Sequence, residues 1–284
     1  MSRLSLAIPN KGRMAAKIRD LLVEAGYPLD ERASARGLRA SAGEHVSVLL
    51  VRAADIPGLV ADGVADAGVT GLDLVAESGR HLEVLLDLGI GACELVAAAP
   101  EHRGYPTTAA VPQGARVATS FPRLAAQHFR ASGVEVEIVP VSGASEVMPH
   151  LGVADIVVDI TATGETLRTN GLRPFATLMR STACVVTAKP ASDDLTELVG
   201  ALDSVLQAQE QRYIMANVPA EVISRIEEIL PGMNGPTVTT IIGDDTRRAV
   251  HAVVHRRHVT TTLAGLKRIG AEAILVTRIE RLVP

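Results

Sequence analysis

Tryptophan is absent from this chain, and all aromatic residues together make up only 2%. That shortage removes the stacking platforms on which single-stranded nucleic acid is held. Positive charge is not in excess either. The formal net charge is -4, so a polyanion finds no basic footprint. Any phosphorylated ligand is then held by local backbone and side-chain donors. Long apolar runs are also missing. Residues 4–8, just before Asn10 and Lys11, are too few for the apolar region of an export signal. Residues 95–99 fall far below the roughly 20 residues that span a bilayer. Only two cysteines occur, Cys93 and Cys184. Both lie in apolar, strand-like stretches and read as small buried hydrophobes rather than as a disulfide or a nucleophile. A soluble, cytoplasmic protein that engages neither nucleic acid nor membrane is the expectation.

What is present points to a large core. Hydrophobic residues reach 47% of a 284-residue chain, enough for two or three domains at about 100–200 residues each. The first two thirds alternate short apolar runs with amphipathic stretches, the pattern of βαβ units and a mostly parallel sheet. Strands are expected at 4–8, 46–51, 67–69, 95–99, 117–119, 134–139, 156–159 and 184–188. Helices are expected at 13–25, 55–62, 123–131 and 144–151. The three prolines and two glycines of residues 100–114 read as a crossing between two lobes. A strong amphipathic helix follows at 193–208. The domains expected are a first lobe of 1–97 and 182–209, a second of 98–181, and a separate domain of 210–284. That last stretch reads strand, helix opened by Pro219, two strands about a Gly243-Asp244-Asp245 turn, helix and strand. This βαββαβ order is the ferredoxin-like split motif.

Open α/β sheets bind ligands at the carboxyl ends of their strands, so the residues just after each strand matter most. Ile156-Val157-Val158-Asp159 is a buried strand ending in an acid. It feeds a loop of small residues, Ile160-Thr161-Ala162-Thr163-Gly164-Glu165-Thr166-Leu167, at a helix start. Such a loop turns backbone N–H groups and three threonine hydroxyls toward one point, with the positive end of a helix behind them. A phosphate monoester suits it, and Asp159 or Asp155 could accept from ribose hydroxyls. The same residue types also suit a plain helix cap and strand end.

Residues 146–167 also carry a resemblance. Glu146, Gly152, Ala154, Val157, Asp159-Ile160, Thr163-Gly164 and Thr166-Leu167 match the ATP phosphoribosyltransferase signature in type and spacing. The likeness implies a two-lobed, periplasmic-binding-protein-like catalytic part plus a ferredoxin-like regulatory domain. By resemblance, Asp155, Asp159, Thr161, Ala162, Thr163, Gly164 and Thr166 bind phosphoribosyl pyrophosphate. Pro9-Asn10-Lys11-Gly12 is similar to the family's opening, where a lysine reaches nucleotide phosphates. Residues 66–73 look like a further family loop, so Lys11, Gly12, Thr70, Gly71 and Asp73 are implied on the ATP side. Residues 89–100 look familiar as well, but Glu94 stands where many members carry a basic residue. Arg52 and Asp55 are weaker candidates that read equally as a solvated pair.

Pro231-Gly232-Met233-Asn234-Gly235-Pro236-Thr237 resembles the segment with which long-form members bind histidine. Asn217, Met233, Gly235, Thr237 and Ala273 would surround that effector. His251, His255 and His258 cluster nearby without the spacing of a zinc site. The reaction implied is attack of adenine N-1 of ATP on the anomeric carbon of phosphoribosyl pyrophosphate, with magnesium on the departing pyrophosphate. A homo-oligomer, from dimer to hexamer, and feedback inhibition by histidine are implied with it. Two other readings remain open at this point. An ordinary purine or pyrimidine phosphoribosyltransferase usually has two adjacent acids before its loop, whereas Ile160 follows Asp159 here. A solute-binding module would suit two lobes with a hinge.

Overall fold

The computed structural model describes residues 3–30 and 38–283. The chain divides into two compact units, Met1–Val199 and Gly200–Pro284. The first unit holds two sheets. One has seven strands in the order β2-β3-β4-β1-β5-β12-β6: β1 (Leu4–Pro9), β2 (Leu29–Asp30), β3 (Arg39–Ala42), β4 (Val46–Val51), β5 (Ala67–Gly71), β6 (Glu83–Asp87) and β12 (Ala183–Thr187). Its β4, β1 and β5 are parallel neighbours, so their carboxyl ends share one edge. The other sheet has the order β11-β7-β10-β8-β9, from β7 (Cys93–Pro100), β8 (Ala115–Thr119), β9 (Val136–Pro140), β10 (Ile156–Thr161) and β11 (Leu172–Ser181). Here β10, β8 and β9 run parallel.

Helix α1 (Ala15–Glu24) buries Ile18, Leu21 and Leu22, the i, i+3, i+4 stripe that its sequence pattern demands. Helix α2 (Ile56–Ala61) packs hard on β5, because Gly68 leaves room for it. A Cβ there would lie 2.3 Å from Ile56 Cγ2 and 2.9 Å from Val60 Cγ2. Helix α3 (Leu72–Ser78) belongs to the first lobe and α4 (Pro122–Ala131) to the second. The carboxylate of Glu77 in α3 accepts the backbone amides of Arg123 and Leu124 in α4, each at 2.9 Å. A side chain from one lobe thus caps a helix of the other, satisfying amides that no intrahelical carbonyl can reach. Glu77→Ala should therefore lower unfolding free energy by about 1–2 kcal/mol, read as a shift in the urea midpoint. A loss below a few tenths would show that water replaces the cap without cost.

The crossing between lobes differs from expectation. All of β7 lies in the second sheet, so the chain leaves the first lobe at 88–92, ahead of the Pro/Gly stretch. Residues 100–114 wrap the second sheet instead, where Glu101 N bonds Gly171 O and Gly114 N bonds Glu135 O. Strands β2, β3, β6 and β11 were not anticipated; β2 has only two residues, and β6 and β11 lack a clean buried alternation. The helix expected at 144–151 shrinks to a 3-10 turn, Ser145–Val147. Gly143 and Ala144 have positive φ, which breaks a right-handed helix at its start, and Pro149 removes a donor from its middle.

In the second unit the sheet order is β14-β15-β13-β16, with β13 (Gln211–Pro219), β14 (Thr237–Ile241), β15 (Asp244–His255) and β16 (Glu272–Arg278). All pairs are antiparallel, which is the ferredoxin-like arrangement. Ile214, Ala216 and Val218 of β13 pack with Val250, Ala252, Val254 and Leu266 in one core. The division between the compact units falls at Gly200, inside α6 (Asp193–Gln209), and the second unit's sheet begins just after that helix, with β13 at Gln211. The helix expected after Pro219 is mostly 3-10 (Ala220–Arg225), and α7 (Ile226–Ile229) keeps only four residues. Helix α8 (Val259–Arg268) forms as expected. No helix among the described residues is long and apolar enough to cross a membrane.

Candidate active site

Strand β10 delivers its carboxyl end, Asp159 to Thr161, to the same edge as the ends of β8 and β9. The loop beyond it is shaped by its own side chains. Thr161 Oγ1 accepts the amide of Gly164 at 2.8 Å, and Thr163 Oγ1 accepts that of Glu165 at 3.4 Å. Gly164 sits at φ 73°, ψ 1°, a left-handed conformation that glycine adopts freely. Among the described residues no partner is found for the amides of Ala162, Thr163 and Thr166. Ala162, Thr163 and Thr166 are exposed. The helix that follows, α5 (Glu165–Thr169), has five residues, so amides and hydroxyls rather than a long helix dipole carry the attraction for an anion. The N-terminus of α4, at the same edge, is already occupied by Glu77.

Asp159 is partly buried. Its Oδ1 accepts the amide of Ile160 at 2.7 Å, and its Oδ2 accepts a hydrogen bond from the Ser145 hydroxyl. Burial pushes its carboxyl above the usual range and nearby Glu146 adds to that, against the opposing pull of Ser145 and Ile160. Glu94 lies across from Thr161 on β7. Its charge is matched by Arg180, whose Nε stands 2.9 Å from Glu94 Oε1. Arg180, one strand away, is thus engaged by the Glu94 carboxylate.

Asp155 is not part of this group. It precedes β10, at the opposite end of the strand. Its carboxylate meets Arg103 at 3.1 Å and Arg116 at 3.6 Å, and also accepts the Arg116 amide at 2.9 Å. The six residues of β10, at about 3.3 Å each, keep it from a ligand of the loop beyond the strand.

On the first sheet, Lys11 and Gly12 are exposed just after β1, between the ends of β4 and β5. Thr70 and Asp73 turn inward. Thr70 is fully buried and donates to Ala53 O at 2.8 Å. Asp73 is 4% exposed and accepts from Ser181 Oγ at 2.6 Å, while the same oxygen accepts the Asp73 amide. Gly71 is required by that carboxylate, since a Cβ there would lie 2.1 Å from Asp73 Oδ1. Thr70, Gly71 and Asp73 brace the joint where β11 leaves the second sheet and do not line an open surface. Arg52 and Asp55 are exposed, with no ion pair between them. Both cysteines are free and buried; burial, with Asp87 and Asp73 nearby, pushes Cys184 up to about 12, far from a nucleophile's range.

In the second unit, Asn217 and Thr237 lie on the sheet face away from the helices, with Thr237 opposite His251. Met233 and Gly235 are in the loop before β14, and Ala273 has φ 50° beside a bulge of β16. His251 bonds the Tyr213 hydroxyl. A cavity of about 480 Å³ lies on the helical side, lined by residues that include Ile229, Met233, His255, His258, Thr262 and Arg268. It shares only Met233 with the expected effector set.

Comparison with known proteins now bears on this geometry. Residues 52–208 match the family model described as ATP phosphoribosyltransferase, and 208–281 match the one described as HisG, C-terminal domain. The ATP phosphoribosyltransferase of Gemmatimonas aurantiaca is 50% identical over 99% of this chain and 100% of its own length. That of Methanosarcina barkeri is 40% identical, over 99% and 100%. Among solved structures, the ATP phosphoribosyl transferase (HisG:HisZ) complex from Thermotoga maritima superposes with a TM-score of 0.64 at 30% identity, over 72% of this chain and 98% of that one. The class these likenesses define is a pentosyltransferase with a two-lobed α/β catalytic part. The chain belongs to the ATP phosphoribosyltransferase family, in its long form with the additional C-terminal domain.

Proposed function

We propose that the loop at 161–166 holds the 5-phosphate of phosphoribosyl pyrophosphate, with Asp159 on the ribose and Lys11 and Gly12 toward the triphosphate of ATP. The free amides of Ala162, Thr163 and Thr166, gathered at the carboxyl end of β10 beside three hydroxyls, are the observation that carries this reading. Adenine N-1 displaces pyrophosphate from the anomeric carbon, giving phosphoribosyl-ATP through an oxocarbenium-like state. An adenine nitrogen attacks without losing a proton, so no strong general base is required. Catalysis rests on holding two polyanions in line, which supplies up to about 7–11 kcal/mol. Among the described residues no group of three or more His, Cys, Asp or Glu could hold a metal ion. Magnesium is read from the family resemblance as arriving on the phosphate oxygens of the substrates, as its small number of protein ligands in phosphate sites allows.

Thr163→Ala combined with Thr166→Ala should raise the Michaelis constant for phosphoribosyl pyrophosphate by about 10–100-fold, two hydrogen bonds' worth. That for ATP should stay within about twofold. Equal effects on both substrates would place the phosphate elsewhere.

The second unit is read as the seat of histidine inhibition, through Asn217, Met233, Gly235, Thr237 and Ala273. Its sheet face leaves Met215 39% and Leu275 56% exposed, which supports self-association of this chain; a dimer or hexamer and a cytoplasmic setting are read from the family resemblance alone.

A further inference from the structure

We propose that Ser145 is a positioning residue of the phosphoribosyl site: its hydroxyl fixes the Asp159 carboxylate so that the remaining lone pairs face the ribose hydroxyls. The proposal rests on the loop reading above. Ser145 lies outside the family signature, which begins at Glu146, and no periodicity marks it. Three structural observations converge on it. It is 1% exposed, so its hydroxyl has no access to bulk water. That hydroxyl donates to Asp159 Oδ2, fourteen residues along the chain. Ala144, the residue before it, is held at φ 51°, ψ 36°, a left-handed conformation that costs energy for any residue with a side chain. Such strain persists only where the surroundings over-determine it. Here it turns the chain leaving β9 so that Ser145 meets the end of β10.

An ionised carboxylate has about four lone-pair positions. Ser145 and the Ile160 amide take one on each oxygen, which orients the group and leaves the outer positions for a ligand. Both contacts favour the ionised form. They act against burial and against Glu146, the charged neighbour on the same turn. From β7, Glu94 shares the face of Asp159 but is tied to Arg180 of β11. On β8, Thr119 pairs with Val158, and its hydroxyl is bound to Val158 O. With the Ser145 hydroxyl removed, Asp159 keeps only the Ile160 amide on Oδ1, its Oδ2 is no longer fixed, and it takes up its proton at higher pH.

The test uses the full-length protein with Ser145→Ala, Ser145→Thr, Ser145→Cys and Asp159→Asn. Ser145→Ala should raise the Michaelis constant for phosphoribosyl pyrophosphate by about tenfold, one hydrogen bond to a charged group, with that for ATP unchanged. The acid limb of kcat/KM for phosphoribosyl pyrophosphate should move to higher pH, and Ser145→Thr should restore both. Calorimetric affinity for ribose 5-phosphate over 2-deoxyribose 5-phosphate should fall toward parity in Ser145→Ala. A merely structural serine would not move that ratio. If Ser145→Ala does not fold, Ser145→Cys, nearly the same size and a weak donor, carries the same comparison. Unchanged kinetics and an unchanged ratio in a folded variant overturn the proposal, provided Asp159→Asn raises the constant. If Asp159→Asn changes nothing either, the loop reading itself falls.

Discussion

Gly164→Val is expected to raise the Michaelis constant for phosphoribosyl pyrophosphate by about 100-fold, about 2.7 kcal/mol, and to leave that for ATP within about twofold. Two effects combine. At φ 73° a β-branched residue is strained by about 1–3 kcal/mol, and the loop relieves that strain by moving the amides beside it. A Cβ at this position meets nothing within 4 Å, so the new side chain occupies open space in front of the loop, where the proposed phosphate approaches. Gly164→Asn separates the two effects. Asparagine tolerates the left-handed region, so its melting temperature should stay near that of the parent while substrate affinity still falls. A Gly164→Asn protein with unaltered affinity would mean that the space in front of Gly164 is not used by substrate.

Phe129→Ala should lower the unfolding free energy by about 3–5 kcal/mol, a large part of the about 5–15 kcal/mol that holds a folded protein together. Phe129 is fully buried on α4, in the core that includes Leu95, Val117, Ile156 and Val158. Its removal leaves a cavity beneath β8 and β10, which close-packed neighbours fill only in part. The urea midpoint is the measure, and Phe129→Leu should recover more than half of the loss. Because β10 leads into the loop proposed to hold the phosphate, affinity for phosphoribosyl pyrophosphate should weaken with stability. A drop of less than about 1 kcal/mol would contradict the packing of α4 on this sheet.

Much of the fold is legible in residues 4–25 and 46–71, where buried strands and amphipathic helices follow one another with clear periods. Val46–Val51 was read at its observed bounds. The failures have physical causes. Residues 144–151 have helical composition, yet the positive φ of Gly143 and Ala144 and the proline at 149 prevent a helix. The crossing was sought among prolines and glycines, whereas strand β7 runs straight through to Pro100 because its alanines pack against both β10 and β11. The turn formed by Thr161, Thr163, Gly164 and Thr166 is legible in the sequence because a tight turn draws its shape from consecutive residues. Asp155 was misplaced, since a linear chain shows that an acid flanks a strand but not which partner waits at that end. Thr70 and Asp73 were read as facing ligand because burial of a polar side chain becomes visible only when its partner is known.

By itself, then, the sequence determined the local matters: which runs are strands, which faces are apolar, and where small residues and hydroxyls make a loop able to hold a phosphate. These depend on neighbours within a few positions, and backbone geometry transmits them directly. Only the tertiary structure decided which acids are free and which are held. Ser181 meets Asp73 across 108 residues, and Ser145, just after β9, meets Asp159 on β10 with β8 between the two strands. Such pairings arise from strand order and from the exclusion of water around each pair, and neither is written in the spacing of residues along the chain.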